Sequence, residues 1–231
     1  MSICENIKEI KYNIEQATQK SGRNVDDILL LAVTKTVPAN IIKEAINCGI
    51  TEIGENKVQE LVSKYEQLGS LTKYHFIGTL QTNKVKYLMN KVELIHSVNS
   101  LKLAQEINKQ SNKNNIISDI LIEINIGDEL SKSGANKQDI YNLLQEISVL
   151  SNIRIKGLMT IPPYSQDLAK TREYFKRMFN IFIDIRQKKL DNVYMDLLSM
   201  GMSMDYIVAI EEGANIVRIG SKIFGQRKKE D

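Results

Sequence analysis

The sequence predicts an α/β protein, a single (β/α)8 barrel of the TIM type. Eight short apolar stretches alternate with eight helix-like stretches over about 200 residues, and regular β-then-α alternation implies a parallel sheet. Eight such units suit a closed, compact barrel. The runner-up is an open doubly wound sheet, which would carry a glycine fingerprint after its first strand to hold a dinucleotide. No such fingerprint stands there.

The elements follow in order. Residues 2–21 carry Ile3, Ile7, Ile10, Ile14 and Ala17 at helical spacing, and Ser21-Gly22 ends that helix. The run Leu29-Leu30-Leu31-Ala32-Val33 reads as a strand buried on both faces, closing on Thr34-Lys35. Pro38 opens a helix at its first position, Ile41, Ile42, Ala45 and Ile46 form its apolar face, and Gly49 ends it. Strands are then predicted at 51–54, 74–78, 92–98, 116–126, 153–160, 193–198 and 215–219. Helices are predicted at 56–68, 82–90, 100–110, 137–150, 167–189 and 205–212, with a short turn or helix after Gly220. The segment 127–136 is a polar loop. No linker or low-complexity stretch interrupts the series, so one domain is expected over residues 1–231: a helix at about 2–21 and a barrel at about 28–225.

Composition excludes several function classes. With 42% apolar and 26% charged residues the chain is typical of soluble globular proteins, and its first residues have no signal-peptide character. No apolar run reaches the length of a membrane span. The net charge is only +3, and the basic cluster Arg227-Lys228-Lys229 is followed by Glu230 and Asp231, which argues against nucleic acid as a partner. Cys4 and Cys48 have no metal-type spacing and are expected to be reduced thiols, which indicates a reducing, cytoplasmic setting. His75 and His96 belong to no metal-binding pattern, so no metal is expected.

Barrels of this kind build their sites at the carboxyl ends of the strands. There the sequence places Lys35; Gly54-Glu55-Asn56; the stretch from Gly78 to Lys84; Met159-Thr160-Ile161-Pro162; Ser199-Met200-Gly201-Met202-Ser203; and Arg218-Ile219-Gly220-Ser221. A lysine at the mouth of a buried strand snorkels, pairs with a carboxylate, or is neutral and nucleophilic. Ser203 and the backbone N–H groups of Gly220 and Ser221 suit a phosphate, where glycine lets the backbone approach and a helix start adds positive potential. Ser203 equally suits a helix cap ahead of Asp205, and Asn56 with Gln59 resembles a capping box. Gln81 and Asn83 also read as plain loop residues, and Met159, Met200 and Met202 as packing. Arg218, on a central strand, must be paired, either with a carboxylate or with an acceptor atom of a ligand. Pyridoxal 5′-phosphate has an aldehyde, a phosphate and a ring nitrogen, which call for a lysine, a phosphate cradle and a partner of this kind.

Together these segments resemble the YggS/PROSC family of pyridoxal phosphate homeostasis proteins, most specifically in His75-Phe76-Ile77-Gly78-Thr79-Leu80-Gln81-Thr82-Asn83-Lys84 and Leu198-Ser199-Met200-Gly201-Met202-Ser203. Ala32-Val33-Thr34-Lys35-Thr36, Gly54-Glu55-Asn56, Ser131-Lys132-Ser133-Gly134 and Val217-Arg218-Ile219-Gly220-Ser221 extend the likeness over nearly the whole chain. The resemblance implies fold type III of the pyridoxal phosphate proteins, like the N-terminal domain of alanine racemase. It implies that Lys35 holds the cofactor as a Schiff base and that Arg218 faces the pyridine nitrogen. It gives Ser203, Gly220 and Ser221 the phosphate, puts Asn56 near the ring, and makes Met159, Ser199 and Met200 part of the pocket. Asn99 and Ile207 depart from the family pattern, away from that site.

The family is regarded as lacking clear catalytic activity and as acting in vitamin B6 balance. An arginine at the ring nitrogen disfavours a protonated pyridinium and weakens the ring as an electron sink. A racemase of this fold draws a second acid/base from a partner subunit and an additional domain, so amino-acid racemase is the alternative function. A Schiff-base aldolase ranks third. Apo-enzymes that use pyridoxal phosphate are the expected protein partners, and a monomer the expected state.

Overall fold

The barrel is closed by backbone pairing all the way round. In the computed structural model, which describes residues 2–127, 134–135 and 139–225, eight parallel strands run in sequence order and the last pairs with the first. They are β1 (Leu29–Val33), β2 (Glu52–Glu55), β3 (Lys73–Phe76), β4 (Leu94–Val98), β5 (Ser118–Ile124), β6 (Ile153–Thr160), β7 (Val193–Met202) and β8 (Ile216–Ile219). Around them lie α1 (Ile3–Lys20), α2 (Ala39–Asn47), α3 (Val58–Leu68), α4 (Leu101–Lys113), α5 (Ile140–Ser148), α6 (Leu168–Lys188), α7 (Tyr206–Glu211) and α8 (Ser221–Phe224).

Period-two alternation along the strands divides the core in two. One face of each strand packs under the helices: Leu30 and Ala32 of β1, Leu198 and Met200 of β7, and Val217 and Ile219 of β8 share a shell with Ile42, Leu61 and Ile107. The other face fills the barrel with Leu31, Val33, Ile77, Leu94, Leu121, Met159 and Ile216. Helix α1 precedes the barrel and lies along its outside. A capping box starts it, with the Glu5 amide donating to Ser2 Oγ and the Ser2 amide to Glu5 Oε2. Ile7, Ile10, Ile14 and Ala17 are its buried stripe, and Asn6 Nδ2 donates to the Ile223 carbonyl near the end of the barrel.

Several sequence expectations change. The span 82–90 forms a 3-10 segment, Thr82–Tyr87, rather than an α-helix. Strand β7 runs on to Met202, beyond the predicted end at 198, and its pairing with β8 shifts register between Ser199 and Met202. Pro38 is the N-cap of α2 rather than its first residue. Cys4 and Cys48 form a disulfide, not two thiols. They lie 44 residues apart, but α1 packs beside α2 and brings their Cα atoms to 5.2 Å, within bonding range. The inference of a reducing compartment from unpaired thiols therefore loses its ground. The basic tail, residues 131–133 and the start of the predicted helix at 137–150 lie outside the described residues. No helix among the described residues is long and apolar enough to cross a membrane.

Gly157 marks where the β6 register shifts against both neighbours. Its φ is +154°, and a Cβ there would stand 1.8 Å from the Leu197 carbonyl oxygen. Gly157→Ala must displace strand backbone in the barrel wall. It should lower the unfolding free energy by about 3 kcal/mol or more, read by urea denaturation.

Candidate active site

At the carboxyl ends of the strands lies a cavity of about 730 Å³. Lys35, Asn56, Ser203, Arg218, Gly220 and Ser221 all line it, together with Val33, Ile77, Pro162, Tyr164, Met202 and Asp205. Six of the nine residues expected at a cofactor site thus share one space. The other three do not line it. Ser199 sits beneath it, bonded to Arg218. Met159 is buried in the barrel interior. Met200 faces outward into the shell under the helices, because Ser199 before it faces in. Met202, read from sequence as packing, lies on the cavity wall instead.

Lys35 follows β1 in a loop that other elements grip. Thr36 has a left-handed φ of +62°, and its amide donates to Glu60 Oε2 at 2.7 Å. The Thr34 hydroxyl donates to Glu55 Oε1, and Lys64 Nζ donates both to the Thr34 carbonyl and to Glu55 Oε1, each at 2.6 Å. Burial raises the Glu55 pKa, against the charge and hydrogen bonds of Lys64 and the hydroxyl of Thr34. The strand end that carries Lys35 is therefore anchored by a buried ion pair on β2 and α3. Sequence reasoning missed this pair. Its signal was Lys64 standing between Leu61 and Leu68 on the buried face of its helix.

Asn56 is not a helix cap. Helix α3 begins at Val58, with Lys57 as N-cap and no side-chain cap bond. The Asn56 backbone is pressed against Gly78, where a Cβ would stand 2.1 Å from the Asn56 carbonyl oxygen. Its side-chain Oδ1 is buried with no hydrogen-bond partner, a costly state in a folded chain unless a ligand meets it. Ser203 is likewise not the cap of α7; Asp205 holds that position and accepts from the Met202 amide at 2.6 Å. Gly220 and Ser221 stand where α8 begins, and first-turn N–H groups have no partner within a helix.

Arg218 is 4% exposed. It donates through Nη1 to Ser199 Oγ at 2.6 Å and through Nη2 to the Thr160 carbonyl at 2.9 Å. Burial pulls its pKa down to about 10, while the charges of Asp205 and Glu123 hold it up, so it remains a cation at neutral pH. His75 and His96, which sequence reasoning considered only as metal ligands, point into the barrel. His75 Nδ1 lies 2.8 Å from His96 Nε2, and His96 Nδ1 lies 3.0 Å from Ser199 Oγ. Burial, then the neighbouring His75 and Arg218, push the His96 pKa well below its ordinary value.

The donor set fits a phosphorylated aldehyde of pyridoxal phosphate type. It offers a lysine, a buried cation, an unsatisfied amide oxygen and a group of hydroxyl and backbone N–H donors around one cavity.

The chain matches the family model described as alanine racemase, N-terminal domain, over residues 6–228. It is 46% identical over 229 residues to a pyridoxal phosphate homeostasis protein of Aquifex aeolicus, covering 99% of this chain and 100% of that protein. The protein of that name from Escherichia coli is 36% identical, with 97% of each covered. Among solved structures, PipY of Synechococcus elongatus with PLP bound superposes with a TM-score of 0.85 at 29% identity, covering 97% of this chain and 100% of PipY. Alanine racemase of Corynebacterium glutamicum has a TM-score of 0.66 at 16% identity, with 96% of this chain and 62% of the racemase covered. At that identity the likeness is one of fold alone.

Lys64→Met strands the Glu55 carboxylate in the core and should destabilise the protein by about 3–5 kcal/mol at pH 7. The folded Glu55 pKa, already raised, rises further in this variant, so the folded state binds the proton more tightly than the unfolded state. Stability of the variant should therefore fall as pH rises from about 5 to 7. Urea unfolding at the two pH values measures both effects.

Proposed function

The chain belongs to the pyridoxal phosphate homeostasis proteins, with the alanine racemase N-terminal domain as its family model, and on that premise we propose that it holds pyridoxal 5′-phosphate at Lys35 and serves vitamin B6 balance rather than catalysis. The observation that carries this is the convergence of Lys35, Asn56, Arg218, Ser203, Gly220 and Ser221 on one cavity. When bound, the cofactor supplies an aldehyde carbon, a phosphate and a heteroaromatic ring that can draw electron density. Lys35 Nζ would hold the aldehyde carbon. Ser203 and the N–H groups of Gly220 and Ser221 would hold the phosphate, and the unpartnered Asn56 Oδ1 would accept a hydrogen bond from the bound group. Arg218 would face the ring nitrogen and, because a guanidinium only donates, would disfavour its protonation. A ring held that way is a poor electron sink, which supports carriage over robust catalysis. On the same reading this single barrel domain acts as a monomer that supplies the cofactor to apo-enzymes.

The protein loaded with pyridoxal phosphate should be yellow, and borohydride should fix the group on Lys35, mapped by peptide mass spectrometry. Lys35→Ala should lose the visible band. A colourless wild type, or a label on another lysine, overturns the assignment. Asn56→Ala should weaken cofactor binding by about tenfold in a spectroscopic titration. Amino acids added in deuterated water should show no fast α-proton exchange; rapid exchange would favour the racemase alternative. Mixing loaded protein with a pyridoxal phosphate-dependent apo-enzyme should restore that enzyme's activity.

A further inference from the structure

Five side chains on five strands are joined end to end through the barrel. Glu52 Oε2 lies 2.6 Å from His75 Nε2, His75 Nδ1 2.8 Å from His96 Nε2, and His96 Nδ1 3.0 Å from Ser199 Oγ. Ser199 Oγ in turn lies 2.6 Å from Arg218 Nη1. His75, His96, Ser199 and Arg218 are buried, so bulk water does not compete for the bonds among them. Glu52 lines a separate cavity of about 380 Å³ whose walls include the first residues of β1, β4 and β8. Arg218 lines the cavity at the opposite mouth. The chain therefore spans the barrel.

Counting hydrogens orders it. A guanidinium only donates, so Ser199 Oγ accepts from Arg218. The single serine hydrogen is then available for His96 Nδ1, which accepts. A neutral His96 that accepts at Nδ1 carries its hydrogen on Nε2 and donates to His75 Nδ1. His75 then carries its own hydrogen on Nε2 and donates to the Glu52 carboxylate, which that bond keeps ionised below the usual carboxylate range. Every bond is donated in the direction of Glu52. The opposite order would turn His96 Nδ1–H and Arg218 onto the same serine oxygen and send the serine hydrogen elsewhere. At one end Lys73 lies 3.6 Å from Glu52, whose cavity Asp26, Asp27, Glu93 and Asp119 also line; at the other the charges of Asp205 and Glu123 act on Arg218, and Lys35 lines its cavity.

We propose that Glu52, His75, His96 and Ser199 are positioning residues for Arg218, a single polarised hydrogen-bonded chain that turns the Ser199 oxygen toward the guanidinium and fixes that cation on the cavity floor. A hydroxyl whose hydrogen is drawn away is a stronger acceptor, so the remote carboxylate reinforces the bond at the other end. The consequence for the cofactor rests on the function proposed above; the order of the chain does not.

Nitrogen-15 NMR of the histidine side chains decides the order in the full-length protein without cofactor. Both rings should be neutral with the hydrogen on Nε2, and a His96 bearing it on Nδ1 overturns the proposal. Glu52→Lys puts a donor where the chain needs an acceptor and should move both ring hydrogens to Nδ1; unchanged rings would show that the chain transmits nothing and overturn it. With pyridoxal phosphate, Ser199→Ala should shift the visible band and weaken binding by about tenfold, and Ser199→Thr should restore both. A purely structural serine would change stability and leave band and affinity alone, which also overturns the proposal. A protein that takes up no pyridoxal phosphate defeats the proposed function, while the NMR result still decides the chain.

Discussion

A closed barrel turns every second strand residue into a space without bulk water, and this chain sends charged and polar groups there. Glu52, His75, His96, Glu123, Ser199 and Arg218 are all at or below intermediate exposure on barrel strands. Burying such groups is costly unless they satisfy one another. The described bonds from Glu52 to Arg218 meet that demand with one continuous chain rather than isolated pairs. The apolar residues of the interior, such as Leu31, Leu94 and Leu121, fill the rest of that space.

The same constraint shapes the rim. The loop bearing Lys35 leaves β1 with a left-handed residue at Thr36 and is gripped by Glu55, Glu60 and Lys64. Breaking a buried pair leaves an uncompensated charge, so this support couples the stability of the barrel to the position of one lysine. Gly78 adds a steric component, since only a residue without a Cβ lets the chain leaving β3 pass the Asn56 carbonyl. The cavity is thus held from below by hydrogen bonds and from the side by an ion pair and a close backbone approach.

Much of this was legible in the residues. Apolar runs bounded by glycine and proline marked the strands, and the 3.6-residue stripe of Ile7, Ile10, Ile14 and Ala17 marked α1. Lys35, Ser203, Arg218, Gly220 and Ser221 stand out as candidates because sites in such barrels collect at strand ends; Asn56 joins them only through the family resemblance, and all six line one cavity. Met200 was misplaced because the side a residue faces depends on parity within the strand and on the register shift near Gly201. Asn56 and Ser203 look like caps in the sequence because a capping pattern is local, whereas α3 starts after Lys57 and α7 after Asp205. The disulfide escaped notice because proximity between α1 and α2 leaves no trace in the spacing of two cysteines.

By itself, the sequence determined the alternation of elements, the closed parallel architecture and the chemistry at the strand ends, because periodicity and residue type are local properties. Only the tertiary structure decided which polar groups meet. His75 and His96 are 21 residues apart, and His96 and Ser199 are 103 apart. The first bond joins the neighbouring strands β3 and β4 and the second crosses the closed barrel from β4 to β7, and a hydrogen bond depends on distance and direction in space rather than on position along the chain.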